Sequence, residues 1–277
     1  MQPLKEEADP RLTGWENPAK RLRDALDHDH FRLYGQPVMP VCPPGAPAFA
    51  EVLLRLSEEE ERMLPPGDFL PAFEHYGMMA ELDRWVLRNA LRRLEASGSL
   101  PHLSLNVSSQ TLQEGSFVPF VAVQLRLSGV DPAALVFEID ENDVVDRREA
   151  CERFTAGVKM LGCGVLLDGF ARRSVSFEPL KALVADYVKV DGSIVRAAAV
   201  SASARAKLKA IARVGQVTEV KVVAECVEEE PVRAILAELG VPLMQGFGVA
   251  RPLPLDALVS GGGAAVPGPG TVPRTRV

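Results

Sequence analysis

The chain has 277 residues, 47% of them apolar and 25% charged, with a formal net charge of −6. That length and mixture suit one large α/β domain with a sizeable core, and the acidic balance argues against a nucleic-acid polymer as ligand. Cys42, Cys151, Cys163 and Cys226 lie far apart with no CxxC pair, which argues against a disulfide or zinc framework and predicts reduced, mostly buried thiols.

The N-terminal stretch MQPLKEEADPRLTG lacks the apolar segment of a secretory signal, and no apolar run reaches bilayer length. A cytoplasmic location without membrane contact is the expectation. Residues 1–20 read as a flexible segment, 21–259 as the folded domain, and the Gly- and Pro-rich stretch 260–277 as a disordered tail.

Between those ends, short β-like runs alternate with helical patterns. Strands are predicted at 31–41, 48–56, 102–108, 135–140, 164–170, 187–192, 220–227 and 243–247. Most are nearly continuous in Val, Leu and Ile, as parallel strands buried on both faces require. Residues 79–96 place Leu82, Trp85, Val86, Leu87, Leu91 and Leu94 largely on one side of a helix, with Trp85 expected in the core. Residues 150–161, 198–214 and 231–239 have similar period, and Gly162, Gly215 and Gly240 fall where helix stops are expected. The strand count favours an α/β fold of the (β/α)8 barrel type, with a doubly wound open sheet as the alternative.

Polar residues near the ends of these runs carry the chemistry. Asn106 closes LSLN, Glu138 and Asp140 close LVFEID, and Asp168 closes GVLLD. Lys189 and Asp191 sit in YVKVD, Glu225 in VVAE and Gln245 before GF. In a parallel barrel the C-terminal strand ends meet at one mouth. Any one of these groups could merely cap the helix after its strand, but buried charges in such number call for pairing or a metal. Oxygen donors without histidine point to Mg2+, Mn2+ or Ca2+. With a lysine and a glutamate on the same rim, metal-assisted hydrolysis of a phosphodiester is the chemistry suggested. His28 and His30 read as surface residues, His75 and His102 as single and isolated, and the run EEEER at 58–62 as a solvated loop or helix start.

The motif order resembles a known family. EVLLR (51–55) is similar to an EAL-x-R signature, and PPGDFLPAFEHYGMMAELDRWVL (65–87) to the family's P-x-x-F-I-P-x-A-E entry and the helix after it. LSLNVSSQTL is similar to its N-x-S strand, FEIDE to E-I-T-E, LLDGF to D-D-F-G-T-G, and YVKVDGSIV to K-I-D. VVAECVE resembles A-E-G-V-E, and LMQGFGVARPLP resembles Q-G-Y-x-x-x-x-P. Collinear from about residue 30 to 258, these motifs resemble the EAL domain family, TIM-like barrels that bind cyclic di-GMP and in active members hydrolyse it. The resemblance implies that Glu51, Asn106, Glu138 and Asp168 hold a metal, Mg2+ or Mn2+, if the domain is active. It implies that Lys189 positions the attacking water and Glu225 acts beside it as base or metal-side carboxylate. Arg55 would meet a phosphate, with Gln36, Asp191, Glu228 and Gln245 completing the ligand-facing rim, and Glu141 would support the loop after the aspartate pair.

Three departures bear on activity. Gly169 stands where active members carry the second aspartate of the D-D pair, a ligand for a second metal. Loss of one electrostatic stabiliser costs about 3–4 kcal/mol, on the order of 10²–10³ in rate. The following loop, Phe170-Ala171-Arg172-Arg173-Ser174-Val175-Ser176, lacks the family's glycines and must take another path, with Arg172 and Arg173 read as a solvated pair or as phosphate contacts. Val52 and Cys226 add bulk beside Glu51 and Glu225. Together these favour a degenerate receptor for cyclic di-GMP that reports to a protein effector. An active metal-dependent phosphodiesterase producing pGpG, and a nucleotide-independent interaction module needing no metal, are the alternatives. The resemblance also allows a homodimer.

Overall fold

The β-rich runs fold as strands, and the period-2 alternation of their side chains decides what faces inward. The computed structural model describes residues 17–57, 63–96, 102–172 and 175–260. Helix α1 (Pro18–Asp27), capped by the Asn17 side chain accepting from the Lys20 N–H at 3.1 Å, leads into β1 (Phe31–Pro40) and β2 (Phe49–Ser57). Then come β3 (Met63–Leu64), α2 (Pro66–His75), α3 (Met79–Ala96), β4 (His102–Asn106), α4 (Ser109–Gln113) and α5 (Phe117–Ser128). The middle of the chain forms β5 (Leu135–Asp140), α6 (Glu141–Asp146), α7 (Arg148–Met160), β6 (Gly164–Phe170) and α8 (Glu178–Leu183). It continues through β7 (Tyr187–Val190), α9 (Gly192–Ala197), α10 (Ala202–Thr218), β8 (Lys221–Ala224) and α11 (Glu230–Leu239). The last elements are β9 (Leu243–Met244), β10 (Leu253–Pro254) and α12 (Leu255–Ser260).

Strands β1, β2, β4, β5, β6, β7, β8 and β9 close into a barrel, because β1 pairs with both β2 and β9. Closure removes the open-sheet alternative. From β2 to β9 every pairing round the barrel is parallel, whereas β1 runs antiparallel to both of its neighbours. The (β/α)8 barrel is thus present with one strand reversed, and the reversal has a simple cause. A parallel connection needs a crossover of a dozen or more residues, and the proline-rich link at 41–48 is too short to hold one.

Two apolar regions result. Between strands and helices lies the main core, with Phe31, Phe69, Phe73 and Trp85 in mutual ring contact at its N-terminal side. Inside the barrel is a small plug of Val38, Phe49, Val136, Leu166, Val223 and Leu243. Cys151 and Cys163 are buried, Cys226 is half-buried and Cys42 exposed, and none is paired.

Helix α3 matches its predicted span, and Gly240 ends α11 in the left-handed region at φ 75°. Gly215 is not a stop. Helix α10 runs through it and ends at Glu219, while Gly215 lies where a Cβ would approach the Val220 carbonyl at 2.7 Å and the Val222 side chain at 2.6 Å. It is a close-packing glycine at the helix–strand contact. Helix α1 begins at Pro18, earlier than the domain start drawn at 21. The segments 1–16, 58–62 and 261–277 and Arg173 lie outside the described residues. Among the described residues no helix is long and apolar enough to cross a membrane.

The loop after β9 closes the barrel mouth beside β8: Val227 N–H donates to the Gln245 carbonyl at 2.9 Å, and Gly248 N–H donates to the Val227 carbonyl at 3.0 Å. A Cβ at Gly246 would be driven into the Val227 backbone, whereas one at Gly67 in α2 meets nothing within 4 Å. Overpacking of this kind costs about 1–3 kcal/mol. Gly246→Ala is therefore expected to lower the thermal midpoint by roughly 2–12 °C, and Gly67→Ala not to lower it. Equal midpoints in calorimetry would contradict this packing.

Candidate functional site

The site is built by the same alternation that makes the plug. Two residues after each plug residue of the parallel strands, on the same inward face, stands a polar one. Phe49 leads to Glu51, Val136 to Glu138, Leu166 to Asp168, Val223 to Glu225 and Leu243 to Gln245, while Tyr187 leads to Lys189. An apolar floor thus carries a ring of charges and amides at the C-terminal ends of the parallel strands.

Lys189 is the hub. Its side chain is 2% exposed, and its Nζ donates to Glu138 Oε2 at 2.6 Å and to Glu51 Oε2 at 3.0 Å, with Asp168 Oδ1 at 3.8 Å. Glu51 also accepts from Asn106 Nδ2 at 3.0 Å and from Gln245 Nε2 at 2.9 Å. Burial opposes the charge on Glu51, but Lys189 and the two amides outweigh it and hold this carboxyl below its usual range. Burial opposes the Lys189 charge too, and the surrounding carboxylates overcome it, keeping the ammonium firmly protonated. Glu138 goes the other way: burial, then the negative charge of Glu51, pushes it up to about 8. One ammonium does not neutralise three carboxylates, and Glu138 bears the shortfall.

Glu225 stands on the adjoining strand end, where its Oε1 accepts the Gly192 N–H at 2.7 Å. Burial and the Asp168 charge raise its pKa. Buried Gln36, opposite Glu51 across the antiparallel pair, donates to the Ala250 carbonyl at 3.1 Å. Arg55 lies farther along β2, outside the carboxylate cluster, 5.5 Å over the Tyr34 ring and donating to the Leu54 carbonyl at 2.7 Å. Glu228 is exposed.

At Gly169 strand β6 breaks register with β7 in a bulge, and the residue adopts φ 67°. Beside it Arg172 Nε donates to Asp191 Oδ2 and Nη1 to Asp140 Oδ2, both at 3.0 Å. Asp140 and Asp191 are also the N-caps of α6 and α9, so for these two the capping alternative is realised. Glu141 Oε1 accepts the Ala171 N–H at 3.3 Å and so touches the loop. The Arg172 bridge was not derivable from spacing, because each partner is fixed by a different strand end.

The donor chemistry suits a hard divalent cation. Glu138 Oε1 and Asp168 Oδ1 are buried side-chain oxygens without a hydrogen-bond partner, and oxygen-only donors favour Mg2+ or Mn2+ over zinc. Among the described residues no three acidic, histidine or cysteine side chains form a ready-made cage, since Lys189 draws the carboxylates onto itself. Glu51, Asn106, Glu138 and Asp168 are the residues that could hold a metal after the ammonium shifts.

A closed barrel with one reversed strand and a charged mouth defines a class, and comparison with known proteins supplies the family. Residues 19–252 match the EAL domain family, and the chain belongs to it. It is 28% identical over 238 residues to the cyclic di-GMP phosphodiesterase PdeF of Escherichia coli, covering 85% of this chain and 32% of that protein. It is 31% identical over 256 residues to the cyclic di-GMP phosphodiesterase PdeB of Shewanella oneidensis, covering 90% and 30%. The chain therefore spans about a third of the length of these curated relatives. Among solved structures, the FimX EAL domain of Pseudomonas aeruginosa bound to c-di-GMP superposes with a TM-score of 0.78 at 28% identity, over 85% of this chain and 96% of that one. A PaMucR phosphodiesterase in complex with c-di-GMP gives 0.80 at 28%, over 87% and 99%.

Breaking a buried ion pair by removing one partner costs about 3–5 kcal/mol. Lys189→Met is expected to lose stability of that size in EDTA, measured by urea unfolding. An unchanged unfolding midpoint would contradict the hub role of Lys189.

Proposed function

We propose that this chain is a degenerate EAL domain that binds cyclic di-GMP as a receptor, with phosphodiesterase activity lost or strongly reduced. The observation that carries this reading is the combination of Gly169 with an otherwise complete polar rim. Glu51, Asn106, Glu138, Asp168, Lys189, Glu225 and Gln245 line the same mouth, while position 169 supplies no carboxylate. Support comes from the FimX EAL domain, a structural neighbour bound to c-di-GMP. The rim binds and orients: Gln245 and Asn106 fix Glu51, and Lys189 fixes Glu51 and Glu138. A divalent cation held by Glu51, Asn106, Glu138 and Asp168 would offset phosphoryl charge and acidify a bound water. Without a second carboxylate beside Asp168, that offset is incomplete. In this reading the domain acts in the cytoplasm and reports its bound state to a protein effector, alone or as a homodimer.

A second reading, residual hydrolysis to pGpG, is favoured by Glu225. Burial, then the Asp168 charge, raises its pKa, the direction that makes a carboxylate a better proton acceptor.

Both readings meet in one assay: chromatography of cyclic di-GMP after incubation with Mg2+ or Mn2+, beside PaMucR phosphodiesterase under the same conditions. The expected outcome is a turnover about 10²–10³ below that relative, with the dinucleotide retained on the protein in equilibrium dialysis. Turnover at the relative's rate that disappears in Glu51→Ala would reverse the preference.

A further inference from the structure

Arg172 occupies the space that a side chain at position 169 would need. A Cβ built on Gly169 would stand 2.5 Å from Arg172 Nη2, 2.8 Å from Cζ and 3.2 Å from Nη1. Asp140 ends β5 and Asp191 follows β7, so by holding both the guanidinium lies across the C-terminal end of β6, against Gly169. Its place is set at several points. Nε and Nη1 are held by Asp191 and Asp140, the Arg172 N–H donates to the Gly169 carbonyl at 3.2 Å, and the preceding residue is tied to Glu141. Among the described residues the N–H groups of Nη2 have no partner, and they lie on the Gly169 side.

The surroundings say what these donors could take. Glu51, Glu138, Asp140, Asp168, Asp191 and Glu225 make the mouth acidic, and Lys189 is consumed by Glu51 and Glu138 at its floor. A ligand with two phosphates meets repulsion there unless a cation faces it. Arg172 gives Nε and Nη1 to Asp191 and Asp140, and unlike the buried Lys189 it keeps one arm of its planar fork, Nη2, for a phosphate oxygen.

We propose that Arg172 is a built-in phosphate anchor: its guanidinium fills the space above Gly169 and offers Nη2 to a phosphate of the dinucleotide, so that binding has an arm needing no metal. This rests on the cyclic di-GMP reading above and deepens it. The absent carboxylate and the arginine are then one feature, since an aspartate at 169 would turn that guanidinium away from the ligand to pair with itself. A strut that merely ties two helix caps together would not need to fill the space of a side chain at position 169.

The test is calorimetry of the 277-residue chain with cyclic di-GMP, in EDTA and in Mg2+, for the parent, Arg172→Gln and Arg172→Ala. The glutamine keeps a donor for Asp140 or Asp191 without the charge, so it separates loop support from anion binding. The parent is expected to bind in EDTA, and Arg172→Gln to bind there about 10–100-fold more weakly, the effect of losing a charge-assisted hydrogen bond. Equal affinity in parent and folded variants, or parent binding in Mg2+ only, overturns the assignment to Arg172 and leaves the nucleotide reading in place. No heat from the folded parent under either condition removes the nucleotide reading and this one with it.

Discussion

The structure turns on one buried ammonium. Lys189 sits at the centre of the barrel mouth and ties together side chains from β2 and β5, which are far apart in sequence and separated round the barrel by β4. A carboxylate pushed into such a place is tolerated when a cation and hydrogen bonds meet it. Glu51 has both and is held ionised, whereas Glu138 shares the same cation with less help and retains its proton more strongly. The mouth is thus short of positive charge, and that shortage is its chemistry. It is what a divalent cation, a proton or an arginine can relieve.

Much of this was legible in the sequence. The eight apolar runs marked the strands and the polar residues near their ends marked the rim, and strand alternation explains why those residues share the inward face with the plug. The reversal of β1 also had a signal in the short proline-rich link at 41–48. Other features were left open by the sequence or had no signal in it. Gly215 looks like a helix stop, and only the approach of Val220 and Val222 to α10 explains it. Asp140 and Asp191 look like two more rim ligands, yet each caps a short helix and both hold Arg172. Arg55, matched to a phosphate role by motif, lies over the Tyr34 ring, a contact the motif does not give. Such pairings depend on where the ends of different strands come to lie, which local pattern does not encode.

The Gly169 region joins backbone to electrostatics. The register of β6 against β7 shifts here, and the left-handed conformation at Gly169 is easy for glycine. With no side chain at 169 the guanidinium of Arg172 enters, and the two N-cap aspartates hold it. The family's two-metal chemistry and this arrangement answer the same charge problem with different cations, one exchangeable and one covalently part of the chain. In the receptor reading proposed above, such a site holds a dinucleotide rather than cutting it.

The central claim is that the mouth takes one exchangeable cation, near the carboxylates around Lys189, while Arg172 holds the neighbouring place. Anomalous diffraction at the manganese edge, from crystals grown with Mn2+ and cyclic di-GMP, measures this directly. The account predicts a single peak within reach of Glu138 and Asp168, with Arg172 still beside Gly169. A pair of peaks with Arg172 displaced, or cyclic di-GMP seated away from this mouth, would contradict it.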